Sequence, residues 1–573
     1  MIHYKVYLKK PQSHYIYIDL TIDKIESNTL ELQLPAWRPG RYELGNFAKN
    51  IKRVDAFDAN GKALPYTKLT KDLWQITTHG STSVKVTYSY HTSEINAGNC
   101  YADETQLYLN PVHLCLYVPQ RMHEEHILEL DIPDDYKIAT SLKQEGKKLT
   151  AVSFDELADS PVLASAQLQS QYYEVNQIKF WLHFLGECKP DFEKLKTDFI
   201  KFTKTQISFW QGFPVNEYHF LFQVLPYKYY HGVEHQKSTV IAIGPGYHLN
   251  KGKTYEDILG VSSHELFHTW NIKYIRPAEM LPYDFTKENY ARTGYVYEGF
   301  TTYYGDVLLL TSGVFTQAQY FETLEERLNK HFHNYGRYNL SVAHSSFETW
   351  LDGYVAGAPY RKTSIYDEGN LVAFMLDVLI MKHSQHQKGL RDVCRYLYQQ
   401  FGQKNSGYTE KDIIILCEQA AGVSLQSFFE NYVYGTEDYE PQLITCFEYL
   451  GLSLTKKAST HVSESVFGFK TADIGTNKKI TLIAPYSPAW KANLSIGDEI
   501  LAVNGYTLKN DFHEWMTYFK GTSIQLTVSS NQQLKTIELP LQEKQHSYFD
   551  TLKIEHKEKL EHEHFKKWIE LNS

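Results

Sequence analysis

The sequence feature that most constrains this chain is the stretch Val261–Trp270, which reads V-S-S-H-E-L-F-H-T-W. It places His264 and His268 four positions apart, so a helix through this stretch puts both imidazoles on one face. Two imidazoles in this arrangement can bind one zinc ion, which takes nitrogen ligands in tetrahedral sites. Glu265 lies beside the first histidine and is free to accept a proton from zinc-bound water. The alternative is a half-buried helix face with two hydrogen-bonded, inert histidines.

A third ligand is needed, because a catalytic zinc site has three protein ligands and one open position for water. Glu298 stands near the start of an apolar, helix-like run, close to Tyr297 and Phe300. A carboxylate among aromatic side chains is costly to bury without a partner, and a metal ion supplies one. We therefore predict that His264, His268 and Glu298 bind one zinc ion per chain. Otherwise, Glu298 is an exposed acid at a helix start, stabilised by the helix dipole.

Length and composition indicate a multidomain globular protein. At 573 residues the chain is too long for one hydrophobic core. The apolar fraction of 42% and the charged fraction of 22% are those of soluble globular domains. The net charge is −9, with both signs mixed and without a basic stripe, so we do not expect nucleic acid as a partner.

Cysteine spacing and the absence of long apolar runs predict a cytoplasmic protein. The six cysteines are scattered without C-x-x-C spacing, which favours a reducing compartment and does not support a zinc–thiolate site. The N-terminal residues alternate like a strand and lack the apolar core of a secretory signal. The longest apolar run, Leu371–Met381, is short and contains Asp377, so no segment is expected to span a membrane.

Hydrophobic periodicity changes along the chain. Residues 1–168 alternate with period two and have turn signals between the runs, which predicts an all-β, sandwich-like domain. Residues 169–443 begin with strand and helix patterns and become mostly helical. A strand pattern returns over residues 444–545, and the charged tail over residues 546–573 is expected to form a solvated helix. The predicted fold class is multidomain α+β.

The sequence around the candidate ligands resembles the glycyl aminopeptidase family. The resemblance is carried by two runs, H-E-L-F-H-T-W-N-I-K-Y-I-R-P and Y-E-G-F-T-T-Y-Y. Members of this family are gluzincin-type zinc metallopeptidases with a thermolysin-like catalytic domain and an appended PDZ domain. The resemblance extends over nearly the whole chain, and it implies that residues 169–443 form the peptidase domain and residues 444–545 the PDZ domain. The segment Leu34–Tyr42 is similar to the family's N-terminal domain, and we interpret it as a strand-to-loop corner packed by Trp37.

The resemblance also implies a substrate-binding strand. The stretch Tyr229–His235 is similar to the Gly-x-x-Glu segment of related aminopeptidases, in which an edge strand pairs with the peptide and the acid binds the free α-amine. By this match Glu234 binds the α-amine, Gly232 allows close backbone approach, and His235 completes the substrate-binding segment. The family usually has a second glycine where this chain has His231. Without the resemblance, Glu234 would be a solvated loop carboxylate.

A tyrosine is the expected oxyanion ligand. The stretch Ser364–Gly369 is similar to the family's Tyr-x-Lys-Gly segment, with Glu368 where lysine is usual. By this match Tyr366 donates a hydrogen bond to the tetrahedral oxyanion beside the zinc. On its own it is one of 44 tyrosines and would be read as a packing residue.

The C-terminal strand pattern resembles a PDZ domain. The resemblance is carried by I-T-L-I-A-P-Y-S-P-A and G-D-E-I-L-A-V-N-G. PDZ domains bind an extended peptide as an added strand and hold its terminal carboxylate in a backbone nest. Phe467, Gly468 and Phe469 would form that nest, so a peptide C-terminus is a second expected partner. The alternative is a PDZ shell that only packs on the catalytic domain.

Together these assignments predict a zinc-dependent aminopeptidase that acts on peptides with a free N-terminus. The resemblance implies a preference for a small first residue, glycine or alanine. Glu265 would assist the attack of zinc-bound water and pass its proton to the leaving amine. Two alternatives stay open: a zinc endopeptidase, in which Glu234 does not block the cleft, and a non-catalytic PDZ scaffold or chaperone-like protein.

Overall fold

The computed structural model describes residues 1–355, 357–541, 547–556 and 562–573. Buried apolar residues within these ranges form three main cores, in the N-terminal, central and C-terminal parts of the chain. The predicted multidomain α+β architecture is confirmed at this level.

The N-terminal domain is built almost entirely from strands. They are β1 (Ile2–Leu8), β2 (Tyr15–Asp23), β3 (Thr29–Gln33), β4 (Ile51–Asp58), β5 (Ala63–Leu64), β6 (Tyr66–Thr70), β7 (Leu73–Thr77), β8 (Ser83–His91), β9 (Tyr101–Ala102), β10 (Leu107–Leu109), β11 (His126–Asp131), β12 (Lys137–Thr140), β13 (Lys143–Glu145), β14 (Lys148–Ala151) and β15 (Val162–Ser165). Two short helices accompany them, α1 (Pro111–Leu114) and α2 (Phe154–Ala158). The strand orders are β13-β14-β11-β1-β2-β8-β4-β5, β12-β15-β10-β9 and β3-β7-β6.

The period-two pattern explains how these sheets bury a core. In β2, Ile16, Ile18 and Leu20 are fully buried, whereas the residues between them are half-buried. Successive side chains of a strand point to opposite faces, so this spacing puts all three on the core face. The prediction of a β-rich N-terminal domain is confirmed.

The central domain begins with a mixed sheet. Its strands are β16 (Gln169–Val175), β17 (Ile178–Leu185), β18 (Glu217–Val224), β19 (Tyr229–Glu234) and β20 (Ser238–Gly244). Their order is β16-β17-β18-β20-β19; the β17–β18 and β18–β20 pairs are parallel, and β19 is antiparallel to β20. Strand β19 is therefore an edge strand, whose outer backbone groups can pair with an extended peptide.

Helices form the rest of the central domain. They are α3 (Phe192–Trp210), α4 (Gly252–His268), α5 (Thr301–Thr311), α6 (Gln317–His333), α7 (Val342–Asp352), α8 (Asp367–His383), α9 (Leu390–Gln400), α10 (Glu410–Ala421), α11 (Gln426–Phe428) and α12 (Glu440–Tyr449). Two further segments, Tyr295–Phe300 and Phe429–Val433, are π-helical. The prediction that this region is mostly helical is confirmed.

The C-terminal part contains a smaller antiparallel sheet. The elements of this part are β21 (Leu452–Ala458), α13 (Val462–Ser465), β22 (Phe469–Ile474), β23 (Asn477–Ile483), α14 (Pro488–Lys491), β24 (Glu499–Val503), β25 (Tyr506–Thr507), α15 (Phe512–Tyr518), β26 (Ile524–Ser530), β27 (Gln533–Leu539), β28 (Phe549–His556) and α16 (His562–Leu571). The sheet order is β22-β23-β24-β26-β27, with β25 beside β24.

The ends of the C-terminal part return to the central domain. Strands β21 and β28 pair with each other, and Trp568 of α16 is buried in the central core. The indole nitrogen of Trp568 and the amide of Asn572 donate hydrogen bonds of 2.8 and 2.9 Å to Asp377. The tail over residues 546–573, expected to be a solvated helix, thus contains β28 and a docked α16; residues 546 and 557–561 lie outside the described residues. The predicted boundary between residues 443 and 444 falls inside α12, whose buried face belongs to the central core.

Within the described ranges, no helix combines the length and the apolar composition that crossing a bilayer requires.

Candidate active site

Helix α4 carries the H-E-x-x-H residues. His264 and His268 lie one turn apart, as their spacing predicts, with ring centroids 4.6 Å apart. His268 is fully buried, whereas His264 is half-buried and lines a cavity that opens to solvent. The pair therefore stands where the central core meets a cleft.

The side chain of Glu298 completes a cluster with these histidines. Its Oε2 lies 3.3 Å from Nε2 of His268 and 3.7 Å from Nε2 of His264, and the two nitrogens are 3.0 Å apart. Ligand atoms about 2.0–2.2 Å from one tetrahedral ion lie about 3.3–3.6 Å from each other. The three atoms can therefore hold a single metal ion. Within the described residues, Oε2 of Glu298 has no hydrogen-bond partner, as expected of an atom reserved for an ion.

Glu298 reaches this position from the π-helical segment Tyr295–Phe300, which directly precedes α5. Segments of this kind widen a helix locally and are frequent at functional sites. Burial alone would raise the pKa of Glu298, but the neighbouring histidines outweigh it and hold the pKa below its ordinary value. The carboxylate is thus ionised, so the reading of Glu298 as an exposed helix-start acid does not apply.

Hydrogen bonds behind the cluster orient His268. Its Nδ1 lies 2.8 Å from the carbonyl oxygen of Asn271, which can only accept, so Nδ1 carries the ring proton of the neutral imidazole. The amide of Asn271 in turn donates a 3.0 Å hydrogen bond to Oγ1 of Thr301. This arrangement leaves the lone pair of Nε2 directed at the cluster, as a metal ligand requires.

A residue of the N-terminal domain holds the other oxygen of Glu298. The hydroxyl of Tyr42 donates a 2.6 Å hydrogen bond to Oε1 of Glu298. Tyr42 is buried, and its ring packs against Tyr297 with centroids 5.4 Å apart. Burial raises the pKa of Tyr42 well above its ordinary value, and the charge of Glu298 adds to the rise. The phenol therefore stays protonated and acts as a fixed donor.

Glu265 faces strand β19. A Cβ atom at Gly232 would overlap Oε1 of Glu265, so the strand can approach the carboxylate this closely only with glycine. Burial raises the pKa of Glu265 well above its ordinary value, and the nearby acid Glu234 adds to the rise. A carboxylate with a raised pKa is suited to accept and return a proton near neutral pH.

Glu234 ends β19 and joins the same group. One oxygen of Glu234, one oxygen of Glu265 and one nitrogen of His268 all lie within 4.8 Å of one another. Glu234 is 4% exposed, and its Oε1 has no hydrogen-bond partner within the described residues. It is therefore a buried carboxylate rather than a solvated one, and a bound cation would offset the cost of its burial.

Gly40 of the N-terminal domain covers the Glu234 carboxylate. Its φ is +80°, and a Cβ atom at this position would overlap both carboxylate oxygens of Glu234. Both the left-handed backbone and the lack of space require glycine here. The N-terminal domain thus forms one wall of the cleft, directly beyond Glu234.

His235 lies behind the strand rather than in this group. Its Nδ1 is 3.1 Å from Oδ1 of Asp159, and Nζ of Lys273 is 2.8 Å from the same oxygen. The backbone amide of Gln236 donates a 2.7 Å hydrogen bond to the other oxygen of Asp159. Asp159 belongs to the N-terminal domain, so these bonds join the two domains next to the end of β19.

Tyr366 directly precedes α8 and packs in one apolar cluster with Tyr42 and Trp350. Burial raises the pKa of Tyr366 well above its ordinary value, and the charge of Glu298 adds to the rise. The residue is thus a protonated phenol close to the ligand cluster. Glu368, the departure from the family's lysine, is buried and lies 2.8 Å from Nδ1 of His331, so it has its own partner.

The residues of the predicted PDZ loop lie in the separate C-terminal core. The side chains of Phe467 and Phe469 are fully buried there, and Phe469 is the first residue of β22. The carbonyl oxygen of Gly468 accepts a 2.7 Å hydrogen bond from the amide of Ala484. These residues are not brought to the cluster on α4.

Gly40 and Tyr42 are parts of the site that the sequence alone did not reveal. Both lie in the segment Leu34–Tyr42, which was interpreted only as a corner packed by Trp37. Trp37 does pack there, with its ring 5.3 Å from that of Trp350. The available signal was the similarity of this segment to the family's N-terminal domain, but a contact between domains leaves no periodic pattern in a sequence.

Two family models match the chain: Peptidase M61 N-terminal domain over residues 3–166, and M61 glycyl aminopeptidase over residues 257–372. Comparison with curated proteins finds no match. Among solved structures, an aminopeptidase N family protein from Idiomarina loihiensis is similar, with a TM-score of 0.91 and 27% identity over 99% of this chain and 100% of that chain. An M1 zinc metallopeptidase from Deinococcus radiodurans has a TM-score of 0.45 and 11% identity, over 76% of this chain and 94% of that chain.

The two matching models cover both the β domain and the region that carries the three ligand candidates. The similarity to the Idiomarina protein extends over both complete chains. The chain is therefore a metallopeptidase, and its residues 3–166 and 257–372 match the two models of the M61 glycyl aminopeptidase family.

Proposed function

We propose that this protein is a zinc-dependent aminopeptidase that hydrolyses the first bond of peptides with a small N-terminal residue. The observation that carries the proposal is the buried group of Glu234, Glu265 and His268, whose polar atoms lie within 4.8 Å of one another. In the described part of the chain, Oε1 of Glu234 has no hydrogen-bond partner. Such an acid, beside a candidate general base and a candidate metal ligand, can bind an α-ammonium next to the bond that is cut.

His264, His268 and Glu298 are the residues proposed to hold the zinc, because two imidazoles and a carboxylate are a typical ligand set of catalytic zinc. When bound, zinc supplies Lewis-acid chemistry that acidifies water and polarises the scissile carbonyl. The role of Tyr42 is to fix the carboxylate of Glu298 so that Oε2 faces the imidazoles.

Glu265 is proposed as the general base and acid. Its carboxylate accepts the proton of the attacking water and delivers it to the leaving amine. The buried environment that raises its pKa supports this role, because a weakly acidic carboxyl can both take and return a proton near neutral pH. Tyr366 is proposed to donate its phenolic hydrogen to the oxyanion that forms as the carbonyl is attacked.

Strand β19 is proposed to bind the peptide backbone. Gly232 lets the strand approach Glu265, and Glu234 binds the α-ammonium two residues further along the same strand. An extended peptide can then pair with the free edge of β19. His235 is proposed to act indirectly, since its bond to Asp159 secures the end of the strand.

The wall formed by Gly40 and Tyr42 supports exopeptidase rather than endopeptidase activity. An endopeptidase must accommodate residues upstream of the cut, but Gly40 lies directly against the Glu234 carboxylate. The proposed preference for a small first residue is supported by the match to the M61 glycyl aminopeptidase model.

The decisive experiment measures zinc content together with the hydrolysis of glycyl-, alanyl- and leucyl-p-nitroanilide and of N-acetylglycyl-p-nitroanilide. We expect about one zinc per chain, cleavage of the first two compounds, and no cleavage of the blocked compound. Cleavage of the N-acetylated compound at a similar rate would mean that the α-amine is not recognised, and it would favour an endopeptidase.

For the C-terminal domain we propose a PDZ module that packs against the central domain. The support is its six-stranded sheet with helices α14 and α15, and the Phe467–Phe469 stretch that leads into β22. Helix α13 packs beside both β22 and α15, and His461 stacks on His513 of α15 with centroids 3.8 Å apart. This segment of the chain covers part of the space between β22 and α15, where a PDZ domain takes its peptide. We therefore expect peptides with a free C-terminal carboxylate to bind weakly, with dissociation constants no tighter than those of their amides.

A cytoplasmic location stays a prediction. All six cysteines are buried and free of disulfide bonds, which supports a reducing compartment.

A further inference from the structure

Beside the proposed catalytic group, one arginine of the N-terminal domain is buried without an acidic partner. Arg38 is 3% exposed, and within the described residues its guanidinium forms no ion pair. Among the described residues, the one hydrogen bond that its side chain donates is a 3.1 Å bond from Nη1 to the carbonyl oxygen of Pro39. A guanidinium is always charged, and a buried charge without a counter-charge is costly. The cost would be offset if an anion bound there.

The guanidinium lines a polar cavity of about 330 Å³. The basic residues around this cavity are Arg38, Arg41 and Lys49, and the acidic ones are Glu43 and Glu94. Glu43 is paired with Arg41, and Glu94 accepts a hydrogen bond from Asn99. Both acids thus have partners within the protein, whereas Arg38 has no acidic partner. The cavity therefore favours one additional negative charge.

The position of Arg38 relative to the cleft follows from the short loop to Gly40. Gly40 contacts the Glu234 carboxylate, and two residues of chain span at most about 7 Å. The charge of Arg38 also acts on cleft groups: burial and then Arg38 lower the pKa of His231, and Arg38 opposes the rise in the pKa of Glu265. The guanidinium of Arg38 packs against Gly98, and the neighbouring Ala97 shares an apolar cluster with Val233 and Tyr229, so Arg38 lies beside strand β19.

The direction of a bound peptide follows from the order of groups along β19. The α-amine site is at Glu234, and the candidate base Glu265 touches Gly232, two residues earlier in the strand. A peptide that starts at Glu234 and is cut beside Glu265 must continue toward Tyr229, antiparallel to β19. At about 3.3 Å per residue, the third residue of such a peptide ends beside His231 or Tyr230. His231 is also the strand residue whose pKa is lowered by burial and by the charge of Arg38.

Another arginine near the cleft is already neutralised. Arg327 lines the cavity beside His264, but its Nη1 lies 2.9 Å from Asp367 and its Nη2 3.8 Å from Asp306. An arginine with two carboxylate partners has little affinity left for a third. Arg38 is thus the better receptor for the end of a peptide.

We propose that Arg38 binds the C-terminal carboxylate of tripeptides and so makes the enzyme selective for peptides of this length. This inference rests on the proposed aminopeptidase function. A planar guanidinium binds a carboxylate through two parallel hydrogen bonds, which an uncharged C-terminal amide cannot match. Longer peptides would place no carboxylate at this position.

The test compares Gly-Ala-Phe with its C-terminal amide, Gly-Ala-Phe-NH2, in the full-length zinc enzyme. A hydrogen bond to a charged group contributes about 1.5–3 kcal/mol, so we expect kcat/KM to be about 10- to 100-fold higher for the acid than for the amide. Arg38→Met should bring this ratio close to 1, and Arg38→Lys should restore part of it. Arg53→Met is the matched control, because Arg53 is an exposed arginine of the same domain, and it should keep the wild-type ratio.

The ratio is measured within one preparation, so a partial loss of folded protein does not change it. The inference is overturned if the acid-to-amide ratio of kcat/KM is near 1 in the wild type, or if a high ratio persists in Arg38→Met. In the second case the role of Arg38 is limited to stabilising the loop that carries it. If Arg38→Met does not fold, Arg38→Gln replaces it, with a lowered ratio expected. Hydrolysis of glycyl-p-nitroanilide distinguishes this inference from the proposed aminopeptidase function. If the wild-type enzyme cleaves glycyl-p-nitroanilide but hydrolyses the tripeptide acid and its amide equally well, the aminopeptidase function stands and this inference is wrong. If it cleaves none of these compounds, both are wrong.

Discussion

The hydroxyl of Tyr42, in the N-terminal β domain, donates a 2.6 Å hydrogen bond to Oε1 of Glu298, in the central domain. The other oxygen of the same carboxylate faces the two imidazoles of α4. The candidate metal site is therefore completed by a residue from a different domain. Partners of this kind fix the orientation of a ligand and commonly change metal affinity by about 10- to 100-fold.

Tyr42→Phe removes this hydroxyl and keeps the ring. We expect zinc affinity to fall about 10- to 100-fold, because Glu298 loses the bond that holds its Oε2 toward the histidines. Competition with a chromogenic chelator measures the affinity without reference to activity. Tyr88→Phe is the control, since Tyr88 is a buried tyrosine of the same domain whose hydroxyl bonds only to backbone atoms of residues 114 and 116. Equal zinc affinities in the two variants would contradict the proposed role.

Glu265→Gln should abolish proton transfer while leaving the metal site intact. Glu265 is not in the group His264, His268 and Glu298, so we expect about one zinc per chain in the variant. General acid–base catalysis contributes about 10²–10⁴-fold, and kcat should fall by at least that factor. Elemental analysis and steady-state kinetics on the same preparation give both values. Retained activity, or loss of the zinc, would show that Glu265 has another role.

Gly40→Ala should disturb the Glu234 carboxylate. The new methyl group would overlap this side chain, so we expect KM for glycyl-p-nitroanilide to rise about tenfold or more. Gly61→Ala is a matched control, because Gly61 also has a φ of +80° but nothing lies within 4 Å of its missing Cβ. Both variants carry the same backbone strain, about 1–2 kcal/mol, so both should be less stable. A similar KM in the two variants would argue against Glu234 as the amine ligand.

Asp159→Asn should weaken the contact between the N-terminal and central domains. Burial alone would raise the pKa of Asp159, but Lys273 and His235 outweigh it and hold the pKa well below its ordinary value. The ionised form is therefore the stabilising one. We expect the variant to be less stable by roughly 1–3 kcal/mol at pH 7, since Lys273 is left buried without its partner.

The pH dependence of this effect has a definite sign. A depressed pKa in the folded state gives stabilisation that is present above the unfolded pKa of about 3.9 and is lost as the pH falls through the folded value. The difference in melting temperature between Asp159→Asn and the wild type should thus be constant from pH 8 to pH 5 and shrink only in stronger acid. Asp134→Asn is the control, because Asp134 pairs with Lys147 at the surface and should contribute little at any pH. A difference that grows as the pH falls would contradict the assignment.

The sequence by itself determined the elements that depend on local spacing. The four-position spacing of His264 and His268 put them on one helix face, and period-two alternation built the N-terminal sheets, because both effects arise within a single helix or strand. Glu298 could be inferred from the coordination number of zinc, although no local rule predicts the π-helical segment that carries it.

Only the tertiary structure decided how separate segments meet. It brought Gly40 and Tyr42 against residues nearly 200 and more than 250 positions later in the chain, and it turned His235 toward Asp159. It also docked α16 on Asp377, where a charged tail had suggested a solvated helix. Such contacts depend on packing between distant segments and leave no periodicity in the sequence, so they become visible only when the chain is folded.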